Sequence, residues 1–362
     1  MATHFHQLRV KEVRRETADC ISVVFDIPAH LKTVFTFTHG QNITIKATID
    51  GEELRRSYSV CSSPLNDELR IAVKQVAGGR FSSWANKHLT KDSLIEVLPP
   101  TGKFFTVLDP SNKKNYVGFA AGSGITPLLS IIKTTLLTEP GSSFTLIYGN
   151  KNRASIIFKE ELEAIKNKFI NRFSVHLILS QEKTETPLNE GRIDATKCAI
   201  IFKHLVDLKS CDEFFICGPE SMIFSVKEWL EENGIERKKI HFELFTVPGE
   251  KKSEAGSKKL VSENKFDDKQ SNITIKLDGI AFDFNLAYNG EAILDAALKT
   301  GADLPFACKG GVCATCRAKL LTGEVIMDNN YALEPEEIKN GYILTCQSHP
   351  RSETVSIDFD QK

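Results

Sequence analysis

This sequence of 362 residues is short of several things, and each shortage excludes a class of protein. An excess of either charge is missing: 46 Lys and Arg stand against 47 Asp and Glu, a formal net charge of -1. Without a broad positive field there is no basis for a nucleic-acid partner. Long apolar runs are missing too. The stretch 125–132 is interrupted by Thr126, Pro127 and Ser130, and a helix needs roughly 20 apolar residues to cross a bilayer. The first sixteen residues carry charge throughout and no apolar block of the secretory kind. The expectation is a cytoplasmic protein with no membrane partner. In that reducing compartment the 9 cysteines, an odd number, do not form a disulfide framework. The histidines show no metal-ligand spacing and are read as solvated or core residues.

The length fits two or three domains, and the pattern changes three times along the chain. Up to about residue 107, short β-rich runs (20–25, 42–46, 69–73) alternate with Gly, Pro and Asp turns, which predicts an antiparallel β-barrel. From 115 to about 245, apolar strands at 116–120, 144–148, 175–179 and 213–217 alternate with amphipathic helices, predicting an α/β domain with a parallel sheet. Residues 248–272 are rich in Lys, Glu, Ser and Gly and offer too little apolar surface to offset their ordering entropy. Beyond them, 273–277 and 281–286 read as a hairpin around Asp278-Gly279, followed by a helix over 291–300. The divisions are 1–110, 111–247, a flexible linker over 248–271, and an α+β domain over 272–362.

Four of the nine cysteines lie in the last domain, and their spacing is specific. Cys308, Cys313, Cys316 and the distant Cys346 follow the C-x4-C-x2-C…C pattern that holds a [2Fe–2S] cluster through four thiolates. Gly310 and Gly311 let the loop wrap closely and aim N–H groups at sulfur. A zinc knuckle would pair its ligands as two short C-x2-4-C units. Ala314 and Thr315 are read as packing residues without chemistry. A cluster that takes one electron cannot accept the electron pair of a nicotinamide, so a nicotinamide-linked chain of this kind needs a flavin as converter.

Residues 273–359 resemble the plant-type ferredoxins, which implies a β-grasp fold. The two earlier domains resemble the ferredoxin-NADP reductase family. That resemblance is carried by Arg56-Ser57-Tyr58-Ser59, by Gly78-Gly79-Arg80-Phe81-Ser82, by Gly122-x-Gly124-x-Thr126-Pro127 and by Cys217-Gly218-Pro219. It implies an FAD held by Arg56, Ser57, Tyr58, Ser59, Lys74, Gly79, Phe81 and Ser82. It also implies a nicotinamide dinucleotide held by Gly122, Gly124, Thr126, Pro127, Asn150, Arg153, Cys217, Gly218 and Pro219. In such a site Arg56 neutralises pyrophosphate, glycine N–H groups and Ser82 reach phosphate, and a helix N-terminus with Pro127 in its first turn faces an anion. Ser59, Cys217 and Glu243 are the expected catalytic neighbourhood, with Phe245 near the flavin. Lys151, Arg153, Ser180 and Gln181 suit a 2′-phosphate, which favours NADPH; Glu182 leaves NADH open.

Barrel, nucleotide domain, linker and ferredoxin is the order of the reductase components that serve bacterial multicomponent oxygenases. The runs 323–337 and 341–350 carry the closest resemblance within that group. It implies an NAD(P)H-dependent electron-transfer enzyme with a diiron oxygenase as acceptor. A reductase of a ring-hydroxylating, steroid-hydroxylating or desaturase system is the alternative, and a flavohaemoglobin-like protein or redox sensor is a more distant one.

Overall fold

The computed structural model describes residues 4–245 and 269–361, which fall into two compact units, Phe5–Leu244 and a C-terminal one. The linker expected over 248–271 lies outside the described residues except for its last three positions.

The first unit begins with strands β1 (His6–Thr17), β2 (Cys20–Asp26), β3 (Asn42–Ile49), β4 (Glu52–Ser59) and β5 (Leu69–Lys74), then helix α1 (Arg80–His88) and β6 (Leu94–Val97). All pairings are antiparallel, in the order β4-β3-β6-β1-β2-β5. A bridge between Val60 and Ile71 joins the two ends and closes a barrel. Alternating Ile and Val residues, Ile21, Val23, Ile43, Ile45, Ile71 and Val73, face inward and are fully buried. Each stabilises the fold by about 2 kcal/mol of removed apolar surface. Phe81 enters the same core from α1.

The chain then alternates β7 (Asn115–Ala121), α2 (Ile125–Thr138), β8 (Ser143–Asn150), α3 (Lys159–Lys168), β9 (Phe173–Leu179), α4 (Ala195–His204), β10 (Glu213–Cys217), α5 (Glu220–Glu232) and β11 (Ile240–Glu243). The sheet is wholly parallel, in the order β11-β10-β7-β8-β9. From β7 the chain goes first to one side and later to the other. The carboxyl ends of β7 and β10 therefore flank a switch point, the crevice where open α/β sheets bind ligands. The fifth strand, β11, is only four residues long at the sheet edge, too short for a periodic signal.

Barrel and sheet are fastened together within this unit. The Ser130 hydroxyl on α2 donates to the Ser62 carbonyl at 2.6 Å, and Ser63 and Thr134 share a hydrogen bond. Arg70, buried on β5, pairs with Glu16 of the barrel at 2.7 Å and Glu161 of α3 at 2.9 Å. Lys133 adds a second cation at Glu161.

The C-terminal unit contains β12 (Gln270–Leu277), β13 (Ile280–Ala287), α6 (Ile293–Lys299), β14 (Arg317–Thr322), β15 (Val325–Met327), α7 (Pro335–Lys339), β16 (Tyr342–Leu344), β17 (Ser348–Pro350) and β18 (Thr354–Asp358). Five of its strands form a mixed sheet ordered β13-β12-β18-β14-β16, with a parallel β12–β18 pair at its heart. Asp278 and Gly279 both take positive φ, 55° and 76°, as a two-residue hairpin turn requires. β12 starts two residues before the expected boundary at 272, because Ser271, small and polar but fully buried, already alternates with Ile273. Helix α6 starts later than residue 291, since Ala292 is extended.

Candidate functional site

The switch-point crevice is built by glycine. At Gly124 an added Cβ would stand 2.0 Å from the Cys217 carbonyl oxygen, so only glycine lets the loop after β7 lie against the end of β10. Gly122 turns that loop with φ 54°, and the Tyr148 hydroxyl holds its carbonyl at 3.0 Å. Thr126 and Pro127 are buried in the first turn of α2, the Thr126 hydroxyl donating to the Ser123 carbonyl at 2.9 Å. Gly218 is packed against Ala121 and Met222, and Pro219 caps α5. Asn150 is buried beside the Tyr148 hydroxyl, and neither polar atom of its carboxamide is in a well-formed hydrogen bond. A buried amide with spare hydrogen-bonding capacity can take a polar ligand.

Barrel residues reach the same place. Lys74 ends β5 with its Nζ 3.8 Å from where a Cβ on Gly122 would stand. Tyr58 and Phe81 lie 5.9 Å apart, ring to ring. Arg56 is exposed on β4, donating to the Arg55 carbonyl at 2.7 Å, and Ser57 donates to Asn42 Oδ1 at 2.6 Å.

Ser59, Cys217 and Glu243 come from three distant parts of the sequence and meet here. The Ser59 hydroxyl donates to a Glu243 oxygen at 3.0 Å, and Glu243 stands in register beside Cys217. Burial raises the Glu243 carboxyl to about 7, against the opposing effect of hydrogen bonds from Ser59 and Asn42. Burial, and then the neighbouring Glu243, pushes the Cys217 thiol far up, so it stays neutral. Asn42 carries no motif that marks it in the sequence. Its Oδ1 is taken by Ser57, leaving the amide N–H for Glu243. Only its place at the start of a strand could have pointed to it.

Other expected residues are engaged within the protein. The Gly79 N–H is engaged by the Val76 carbonyl at 2.9 Å and does not point outward. The Ser82 hydroxyl is likewise held inside the turn, accepting from the Val76 N–H and donating to the Gly79 carbonyl. What this turn offers a phosphate is the start of α1, where no side chain caps the first N–H groups. Arg153 is held by Glu182, which accepts from its guanidinium at 2.6 Å and its backbone N–H at 2.8 Å. Phe245 is 40% exposed where the first described stretch ends.

In the C-terminal unit the four expected cysteines converge as two interacting pairs, Cys308 with Cys313 and Cys316 with Cys346. Lys309, Gly311 and Ala314 all take positive φ and coil the loop so that its amides point inward. The Gly310 N–H donates to Cys308 Sγ at 3.3 Å. Its partner Cys313, with the N–H groups of Gly310, Val312 and Cys313, holds the Cys308 thiol below its ordinary value. Thr315, expected only to pack, turns its hydroxyl and N–H toward the Cys313 sulfur. Two cysteine pairs ringed by amide donors fit the two irons and the negative charge of a [2Fe–2S] centre. Among the described residues, no three or more His, Cys, Asp or Glu side chains gather to hold a single metal ion.

Comparison with known proteins agrees domain by domain. Residues 7–106 match the oxidoreductase FAD-binding domain, 119–228 the oxidoreductase NAD-binding domain and 275–351 the 2Fe–2S iron–sulfur cluster binding domain. Fold and site together thus define an oxidoreductase that uses FAD, a nicotinamide cofactor and a [2Fe–2S] cluster. The sequence is 44% identical, over 99% of both chains, to one of the subunits of the 1,2-phenylacetyl-CoA epoxidase of Escherichia coli (strain K12). It is 32% identical, over 97% of this chain and 96% of the other, to the ferredoxin reductase component of 3-ketosteroid-9-alpha-monooxygenase from Rhodococcus rhodochrous. The solved structure of phthalate dioxygenase reductase shares the fold, with a TM-score of 0.58 and 21% identity over 98% of each chain. The chain belongs to this family of electron-transfer reductases, which carry FAD-binding, NAD-binding and 2Fe–2S domains in one polypeptide. Among the described residues no helix is long and apolar enough to cross a membrane.

Proposed function

We propose that this chain draws electrons from NADPH and delivers them to a diiron oxygenase in the cytoplasm, and that the oxygenase is a phenylacetyl-CoA epoxidase. The observation that carries the reading is the meeting of Ser59, Cys217 and Glu243 at the switch point, where a barrel strand and two sheet strands end together. The epoxidase as acceptor is supported by the 44% identity to a component of that system over the full chain. The proposed divisions are 1–110 for FAD, 111–247 for the nicotinamide dinucleotide, 248–271 as a linker and 272–362 for the cluster.

Bound FAD would supply the converter between the electron pair of a nicotinamide and the one-electron capacity of a [2Fe–2S] cluster. The residues around it have separate tasks. Arg56 and Lys74 neutralise pyrophosphate, the α1 N-terminus adds unpaired N–H groups, and Tyr58 gives an apolar face, backed by Phe81 from the barrel core. Ser57 braces that strand through Asn42. Gly122, Gly124, Thr126 and Pro127 form the dinucleotide turn, with Gly218 and Pro219 as the facing wall and Asn150 offering its carboxamide. Cys217, neutral and wholly buried, keeps water from the reacting face. Glu243 exchanges a proton near neutral pH through the Ser59 hydroxyl, and Asn42 holds its carboxyl in place. Arg153 meets the 2′-phosphate once it parts from Glu182.

The test is a reconstituted assay with the oxygenase components of a phenylacetyl-CoA epoxidase, phenylacetyl-CoA and NADPH. NADPH consumption should match epoxide formed. If electrons reach a ring-hydroxylating or steroid-hydroxylating oxygenase and not the epoxidase, the choice of partner is wrong.

A further inference from the structure

The run 323–337, distinctive in the sequence, supplies none of the four cysteines, yet the structure folds its middle over the cluster loop. The Asp328 N–H donates to the Gln347 carbonyl at 2.8 Å and the Tyr331 N–H to the Gly311 carbonyl at 3.0 Å. Between them, Asn329 Nδ2 donates to Gln347 Oε1 at 3.1 Å. Gln347 directly follows the fourth cysteine and is 3% exposed. Because its Oε1 is occupied by Asn329, its Nε2 must face the loop. There its two N–H groups donate to the carbonyls of Lys309 and Cys346, each at 2.9 Å. Gly311, at φ 77°, has no slack: an added Cβ would lie 2.9 Å from the Asn329 carbonyl oxygen and 3.2 Å from Gln347 Cγ. Its own N–H is aimed at Cys346.

We propose that Gln347, locked by Asn329, is a positioning residue for the iron–sulfur centre: its carboxamide fixes the 309–311 turn, whose Gly310 N–H donates to the Cys308 sulfur, making the cluster easier to reduce. The inference rests on the reading of the four cysteines as a [2Fe–2S] site. Reduction adds negative charge to the centre, and N–H donors at its sulfurs stabilise the more negative form. One side chain thus both shapes the loop and tunes what the loop holds.

The test uses the full-length protein, with iron and labile sulfide assayed and the midpoint potential followed by low-temperature EPR. Gln347→Leu with its cluster intact should show a more negative potential and altered g values. Gln347→Glu keeps the shape but replaces the donor with a negative charge, and should move the potential further the same way. Asn329→Ala touches no ligand, leaves Oε1 unanchored, and should give a smaller negative shift. If Gln347→Leu fails to load, Asn329→Ala decides the matter. Fully loaded variants with the wild-type potential, or a shift to more positive values, overturn the proposal. Wild-type protein without labile sulfide overturns the cluster reading first, and this inference with it.

Discussion

Replacing Glu243 by Gln removes a titrating carboxyl from the crevice while keeping its size. Burial holds that carboxyl at about 7, against an ordinary value of 4.5, and each unit corresponds to about 1.4 kcal/mol. The gap is worth at most about 3.5 kcal/mol, less what partial exposure to water removes. The folded form binds the proton more tightly than the unfolded chain. Its contribution is therefore complete below about pH 4.5 and is lost as pH rises through about 7. Relative to Glu243→Gln, the wild type should lose about 1–3 kcal/mol of stability between about pH 5 and about pH 8. Urea unfolding followed by the fluorescence of released flavin reads this unit alone, and the difference between the two proteins cancels every other titrating group. The rate of flavin reduction by NADPH should lose its inflection near neutrality in the same variant. Stability curves that stay parallel across the window would refute the account of this carboxyl.

Three further outcomes are expected. Cys313→Ser should abolish the EPR signal of the reduced centre yet leave NADPH-driven ferricyanide reduction from the flavin largely intact; equal loss of both would contradict the division of labour between the two units. Glu182→Gln frees Arg153 from its ion pair, an exposed one of at most about 1 kcal/mol, so KM for NADPH should fall by about two- to five-fold with that for NADH unchanged. Arg70→Leu removes the cation that Glu16 and Glu161 share and leaves Glu161 with Lys133 alone; it should destabilise the first unit by about 3 kcal/mol, measured by urea unfolding.

What could be read from the sequence was whatever is local. The C-x4-C-x2-C loop, the Gly122 to Pro127 turn and the Asp278-Gly279 hairpin each express backbone chemistry within a few residues, and their neighbours in space are their neighbours in sequence. Glu243 and Ser59 are 184 positions apart; only the family resemblance brings them together in the sequence, and no local pattern shows that a parallel sheet ends beside a barrel strand. Asn42 was invisible for the same reason: an asparagine opening a strand has no signature until a carboxyl is placed against it. Gly79 and Ser82 show a different limit. The motif was in the right turn, but whether a hydroxyl faces inward or outward depends on which backbone groups the turn itself leaves unpaired. The engagement of Arg153 by Glu182 likewise turns on three-dimensional proximity between loops after two different strands.

Anaerobic titration with NADPH, followed by visible absorbance and low-temperature EPR on a sample assayed for iron and labile sulfide, tests the central claim most directly. The account predicts a yellow-brown protein that bleaches as nicotinamide is added and develops the signal of a reduced [2Fe–2S] centre, with two irons and two sulfides per chain. A colourless protein that binds zinc at the four cysteines, carries no sulfide and leaves NADPH unoxidised after reconstitution with FAD, iron and sulfide would contradict it.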